Sequence, residues 1–451
     1  MDSTILAEFR HTLYTTCFTR ARDSLFDLAD ALLTDTQARS FVELSQAHRF
    51  QRAWPSLYEA LEDGRIDRSA LHRLFTRFLP AAMVGTRLVL GVDVSSILRP
   101  DAHTSEDRTL VHRSNLPKDA TPVGPGWQFS TLVVLPDPVS CATYILDNRR
   151  VPSSETATSI GVAQLRELLP LLLVLGVSIL IVLDRGYSHA PWVQASHRLP
   201  TDQLLRARGD RVLYRPPPPR QPHQRGRSPL DGPRFKGTDP STHGTPDADW
   251  SGSDAQGQPV QVTAWRNLHL SDVRQVPITV LRVIRSSARG TKRDPRVSWF
   301  WWLGGPLPPL REIPGLYARR FGQEHGYRLD KQELLWAKPR LRSPEQFERW
   351  TDVVSLVHNQ LVLSLPLTEA VRRPWERASR PTTPRQVRRA MGRIIGLLGT
   401  PARRPQPRGK APGRAAGATV RPAARHPVIR KGSKTKASTA KTARKQVVQR
   451  E

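Results

Sequence analysis

The chain has 451 residues, with 69 Lys and Arg against 40 Asp and Glu, a net charge of +29. That length accommodates two or three domains, and that charge makes a polyanion the first expected partner. Its two cysteines, Cys17 and Cys141, are too few for a disulfide scaffold or a cysteine zinc site and fit a reducing cytoplasm. The first residues, Met1-Asp2-Ser3-Thr4, lack the basic start of a secretory signal, so none is expected.

Residues 1–80 read as a helical N-terminal domain. Apolar side chains recur three and four apart in residues 24–33 and 69–75, and Gly64 separates the helix ending at Asp63 from one that starts near Asp67 or Ser69. The segment serves equally well as a small binding domain or as a cap packed on the core.

The next stretch predicts an α/β fold. Residues 87–93 are a mostly apolar run closing on a carboxylate, which reads as a buried strand with Asp93 at its carboxyl end. Strands are predicted at 127–135 and 141–146, then a helix at 157–175, a strand at 177–183 ending in Asp184, a helix at 190–198 and a strand at 203–208. Three strands in series followed by α/β alternation argue for a mixed sheet flanked by helices. A buried strand end is an expensive place for a carboxylate unless a cation pairs with it, so Asp93 and Asp184 together point to bound metal. The longest apolar stretch, 168–183, is interrupted by Pro170, Gly176 and Ser178 and falls short of the ~20 residues of a membrane span. It reads as helix, turn and strand, and no membrane partner is expected.

Residues 209–296 interrupt that core with a polar, proline-bearing loop and strand-like alternation at 260–265 and 278–284, an inserted loop and β-subdomain. The core is therefore split into 81–208 and 297–371. Within its second part lie Tyr317, Arg320, Glu324 and Lys331. Offsets of three, seven and fourteen at ~100° per residue place them on one helix face, within roughly 60° of arc. Glu312 and Glu333 fall off that face, and Asp101 and Asp107 read as solvated loop residues. A further helix opens at Ser343-Pro344-Glu345-Gln346, a capping box, with Phe347, Trp350, Val354, Val357 and Leu361 as a core-facing stripe. Residues 372–451 hold 23 Lys and Arg against two acidic residues and few large apolar ones, which predicts a basic, mostly disordered tail, disordered beyond about 400 and drawn to phosphate backbones.

The tetrad resembles the Y-x2-R-x3-E-x6-K signature of DDE transposases of bacterial insertion sequences of the IS4 and IS701 type. Further matching phrases are Val89-Leu90-Gly91-Val92-Asp93-Val94-Ser95, Leu183-Asp184-Arg185-Gly186-Tyr187, residues 206–213 and residues 372–377. The strand order also resembles the RNase H-like fold, on which the first and fourth strands lie side by side and bring Asp93 to Asp184. The inserted β-subdomain between the second and third acidic residues is in the family's place. Arg185 departs from the group's smaller residue, and Gly322 and Gly326 each cost ~1 kcal/mol inside a helix relative to alanine.

The resemblance implies a transposase that excises and inserts its own element. Asp93, Asp184 and Glu324 would hold two Mg²⁺ ions, with Mn²⁺ as an alternative, one ion activating the attacking oxygen and the other stabilising the leaving 3′ oxygen. Tyr317, Arg320 and Lys331 would grip phosphates of double-stranded DNA. Trp265, Trp299, Trp301 and Trp302 are candidates to stack on a flipped base, weighed against a plain core role for each. The resemblance further implies a homodimer pairing two DNA ends and a cytoplasmic, nucleoid-associated location; residues 1–80 would then either bind a DNA end or cap the core. A structure-selective nuclease of the same fold, or a weakened or domesticated copy acting as a basic DNA-binding protein, are the alternatives.

Overall fold

In a computed structural model, which describes residues 3–113, 121–220, 226–254, 257–286, 295–368, 375, 382–406, 413, 415, 417–419 and 422–431, the amphipathic N-terminal segments are helices. They are α1 (Thr4–Thr12), α2 (Arg22–Thr34), α3 (Pro55–Asp63) and α4 (Arg68–Arg77), with β1 (Phe18–Arg20) paired to β2 (Arg65–Ile66). Asp67 fixes the start of α4 by accepting from the Ala70 N–H at 2.9 Å.

The apolar runs beyond residue 86 build one sheet. Its strands are β3 (Arg87–Leu98), β4 (Thr109–His112), β5 (Val123–Val134), β6 (Tyr144–Val151), β7 (Ser178–Leu183) and β8 (Asp202–Ala207), with α5 (Ala157–Leu173) and α6 (Ala190–Ser196) between them. The order β6-β5-β3-β7-β8 has β3, β7 and β8 parallel and β5 antiparallel to both neighbours. The long apolar stretch resolves as anticipated: α5 ends at Leu173, Gly176 turns with φ of 70°, and β7 begins at Ser178. Among the described residues, no helix is long and apolar enough to cross a membrane.

The inserted residues do not form a separate sheet. β9 (Val212–Tyr214), β10 (Arg234–Lys236), β11 (Ala248–Ser253), β12 (Pro259–Leu270), β13 (Val273–Arg285) and β14 (Arg296–Leu303) extend the core sheet from its β8 edge, because β14 pairs with β8 from Trp299↔Ala207 to Leu303↔Gln203. β3 also differs from its sequence reading. It continues past Asp93 to Leu98, held by β5 down to the Leu98↔Gly126 pair after β7 has ended, so Asp93 lies mid-strand rather than at a strand end.

One face of the sheet packs on α4, α5 and the long α9 (Pro344–Leu363), and α1 and α2 pack in turn on α9, in a single core that spans residues 6 to 395. The N-terminal helices thus share their core with the sheet. Ser343 and Gln346 close the anticipated capping box, and Phe347, Trp350, Val354, Val357 and Leu361 are buried. The other face, with Val89, Leu180, Val182 and Leu204, is covered by Ile313 and Tyr317.

Two elements lie within the basic C-terminal residues, the first of them before residue 400, beyond which disorder was expected. α10 (Pro384–Leu398), capped by Thr383, buries Val387, Met391 and Ile395 against α2 and α9. Its Arg388 is buried and donates to the carbonyls of Leu32, Asp35 and Glu333. Residues 426–429 lie beside the start of β4 and the loop before it: Ile429 forms an isolated bridge with Thr109, its N–H donates to the Arg108 carbonyl at 2.7 Å, and the His426 N–H donates to the His103 carbonyl at 2.8 Å. Apolar side chains at helical spacing, and an unpaired strand edge, outweigh the local charge that argued for disorder. Residues 432–451 lie outside the described set.

Candidate active site

The parallel pairing of β3 with β7 runs to Val92↔Leu183, so the next residues, Asp93 and Asp184, emerge side by side at one rim of the sheet. The Asp93 side chain is 15 % exposed, and its Oδ1 accepts from the Val94 N–H at 2.8 Å. Asp184 Oδ1 accepts from the Gly186 N–H at 2.7 Å, and a Cβ at 186 would stand 2.9 Å from that oxygen, so a larger residue there would push the carboxylate aside. Burial foremost, and then the charge of Asp184, pushes the Asp93 carboxyl up to about 7; Glu324 adds to the rise, while Arg320 and the Val94 N–H oppose it.

The signature tetrad is not carried by one helix. α7 (Ile313–Ala318) and α8 (Phe321–Gln332) are separated at Arg319 and Arg320 by a tight turn with i to i+3 bonds: the Arg320 N–H to the Tyr317 carbonyl at 3.1 Å, and the Gly322 N–H to the Arg319 carbonyl at 2.9 Å. Such bonds wind the backbone faster than an α-helix and shift the phase of α8 relative to α7. Tyr317 therefore enters the second apolar core, edge-on to Phe300 at 4.7 Å, with its hydroxyl buried and unpartnered. Arg320 turns to the rim instead. Its Nη1 is 3.5 Å from Asp93 Oδ2, its Nη2 bonds Glu324 Oε1, and its Nε has no partner.

Lys331 lies further along α8 and donates to the Ser96 carbonyl of β3 at 3.0 Å; burial lowers its pKa. The two glycines that looked costly have a packing reason. A Cβ at Gly322 would stand 2.7 Å from the Ser140 carbonyl, and one at Gly326 2.7 Å from Thr143 Oγ1, so α8 approaches the loop before β6 only without side chains there.

Sequence reasoning missed Gln323 and Tyr187. Gln323 Nε2 donates to the Thr131 carbonyl of β5 at 3.0 Å, directly across from Asp93 in the ladder, and its Oε1 is buried without a partner. The Tyr187 hydroxyl is likewise buried and unpartnered, raised well above its ordinary pKa by burial first and then by Asp93 and Asp184. The available signal was adjacency: Gln323 precedes Glu324, and Tyr187 ends the Asp-Arg-Gly-Tyr turn. His189 caps α6 through Nδ1, and His325 is exposed. Asp107, read as solvated, instead pairs with Arg150 and accepts from the Ser153 N–H at 3.2 Å.

The tryptophan candidates are core residues in three cases of four. Trp265, Trp301 and Trp302 are at most 2 % exposed, because alternation along β12 and β14 turns each onto a packed face. Trp299 is half-buried between Gly209 and Gly237, in an aromatic cluster with Phe235, His243 and Trp265. Trp250 of β11, also half-buried, was not singled out; it lines a cavity of about 810 Å³ with Arg285, Arg311 and Arg319.

Among the described residues, no three His, Cys, Asp or Glu side chains are gathered as a set that could hold a metal ion. Arg320 stands between Asp93 and Glu324, and Glu324 is 49 % exposed. The donor set nonetheless suits a hard divalent cation: carboxylate oxygens only, one of them buried among like charges.

Residues 13–270 match the family model described as DDE superfamily endonuclease. The chain belongs to that family. The matched segment of this DDE-superfamily endonuclease includes Asp93 and Asp184 and stops before Glu324. No curated protein gives a match.

Proposed function

We propose that this DDE-superfamily endonuclease is a DNA transposase of the insertion-sequence type, which cleaves and rejoins DNA strands at Asp93, Asp184 and Glu324. The observation that carries the proposal is the buried Asp93 carboxylate, beside Asp184 in the strand register and linked to Glu324 through Arg320. The order β6-β5-β3-β7-β8, three antiparallel strands followed by two parallel ones, supports an RNase H-like core.

Two divalent ions, Mg²⁺ or Mn²⁺, held by the three carboxylates would supply Lewis acidity to the attacking and leaving oxygens of a phosphodiester. The chain's own residues bind and orient the DNA. Arg320 offers a planar fork to a backbone phosphate, with the buried Tyr317 hydroxyl next to it as a second donor. Lys331 presents a point charge along the same rim, where its grip on the Ser96 carbonyl fixes α8 to β3. Gln323, bonded to the Thr131 carbonyl opposite Asp93, and the buried Tyr187 lie close behind the carboxylates.

On this reading the partner is double-stranded DNA, first as the element's ends and then as target, paired by a homodimer in the nucleoid. Residues 1–80 would cap the catalytic core, and the basic residues from 372 onward would add attraction independent of base sequence. The test is strand cleavage by purified protein with Mg²⁺ and a fragment bearing the element's ends. Wild type should nick at the ends and Asp184→Asn should bind without cutting; cleavage that survives Asp184→Asn unchanged rejects the site.

A further inference from the structure

Arg320 occupies the place where positive charge is most needed. Its guanidinium spans two carboxylates, Asp93 and Glu324, that the sheet and α8 bring together from distant parts of the chain, and it does so 9 % exposed. A guanidinium satisfied by that pair would have no reason to leave. Arg320 is not satisfied, because its Nε is buried without an acceptor, and the Tyr317 hydroxyl, whose ring centroid lies 5.9 Å from the Arg320 Cζ, is buried without one too. The two groups face each other, the phenol oxygen towards the guanidinium, and the Arg320 Nε–H and the phenol O–H, each left to donate at a desolvation cost, form a receptor for an oxyanion. One side chain thus has two competing acceptor sets, the carboxylates it now holds and a phosphate it lacks.

We propose that Arg320 is an internal counter-cation: in the DNA-free protein it neutralises Asp93 and Glu324, and a DNA backbone phosphate draws it away, so that divalent ions bind tightly only once DNA is in place. The inference rests on the assignment of Asp93, Asp184 and Glu324 as the ion-binding set. Its consequence is a coupling between two ligands through a single two-position element, and such coupling is reciprocal: DNA tightens the ion by the same factor by which the ion tightens DNA. The protein would thereby keep an incomplete centre away from DNA and assemble it on the strand to be cut.

The experiment reads Mn²⁺ binding, not turnover. Free Mn²⁺ is followed by electron paramagnetic resonance during titration of the full chain, with and without a saturating duplex and with a duplex-only control, for wild type, Arg320→Met, Arg320→Lys and Asp184→Asn. In wild type, DNA should tighten Mn²⁺ binding about tenfold or more, the order of a typical allosteric coupling. Arg320→Met, which keeps the length of the side chain and removes its charge, should bind Mn²⁺ at least as tightly without DNA as wild type does with it, and DNA should add little. Arg320→Lys, which keeps a charge but cannot fork across two carboxylates, should fall between them. If Arg320→Met melts early, Arg320→Lys decides: DNA should tighten its Mn²⁺ binding clearly less than in wild type, and tightening equal to wild type overturns the counter-cation.

Mn²⁺ affinity in Arg320→Met equal to or below that of wild type, or no tightening by DNA in wild type, overturns the counter-cation. Mn²⁺ binding that Asp184→Asn leaves intact overturns instead the carboxylate assignment beneath it. Loss of Mn²⁺ binding in Asp184→Asn, with Arg320→Met unchanged from wild type, refutes the counter-cation alone and keeps the site.

Discussion

Asp93→Asn should make the metal-free protein more stable while abolishing its chemistry. In the folded chain the Asp93 carboxyl is pushed up to about 7 from an ordinary 3.8, so the folded state holds this proton more tightly than the unfolded chain does. Stability from this group is therefore fully present below about pH 4, falls as pH rises through the window to about 7, and stays low above it. At ~1.4 kcal/mol per pKa unit the loss is about 4 kcal/mol at pH 8, an upper bound on what Asn recovers by replacing the charge with a neutral isostere. Equilibrium urea unfolding in EDTA, for wild type and Asp93→Asn from pH 4.5 to 8.5, measures it. The two should be close at the acid end and diverge steadily towards pH 8, with the variant the more stable. A variant no more stable than wild type at pH 8, or a difference that does not grow between pH 5 and 8, would refute the picture of a carboxylate held at a cost.

Three further substitutions test how the site is supported. Gly322→Ala should destabilise the protein by about 1–3 kcal/mol despite alanine's better helix propensity, because the new Cβ meets the Ser140 carbonyl at 2.7 Å; a gain in melting temperature would contradict that packing. Arg388→Ala should cost about 3 kcal/mol by stripping buried carbonyls at Leu32 and Glu333 of their donor, read as a fall in the urea midpoint, and a change below about 0.5 kcal/mol would place α10 off the core. Ile429→Pro removes the N–H given to the Arg108 carbonyl, so limited proteolysis should cut near 425–431 faster than in wild type; an unchanged cleavage rate would show that this segment is not held by β4.

The two strands of the rim were readable because their signals are local: apolar runs closing on Asp93 and Asp184 read as buried strands. Their pairing has no local signal and was implied by the resemblance to the RNase H-like strand order. Glu324 was singled out because its spacing from Tyr317, Arg320 and Lys331 resembles the family signature; the break at Arg319 and Arg320 was not anticipated, since that spacing reads as one helix face. What divides it is tertiary: α8 must seat Gly322 and Gly326 against the loop at 140–143 while Tyr317 fills the opposite core. α10 was hidden for a compositional reason. Val387, Met391 and Ile395 keep helical spacing among four arginines at 385, 388, 389 and 393, and charge density outvoted the stripe. The docking of 426–429 has no local signal, because the start of β4 that receives it lies more than 300 residues away. Alternation could not say which face of β14 is buried, and Trp301 and Trp302 are both covered because that strand is packed on both faces.

Anomalous scattering from Mn²⁺ in crystals of the protein with a DNA duplex puts the three-carboxylate assignment to its sharpest test. Peaks at about 2.0–2.2 Å from carboxylate oxygens of Asp93, Asp184 and Glu324, with the Arg320 guanidinium withdrawn to a phosphate, are expected. Peaks bound by other side chains, with Arg320 still between Asp93 and Glu324 on a duplex that the same crystals cleave, would contradict it.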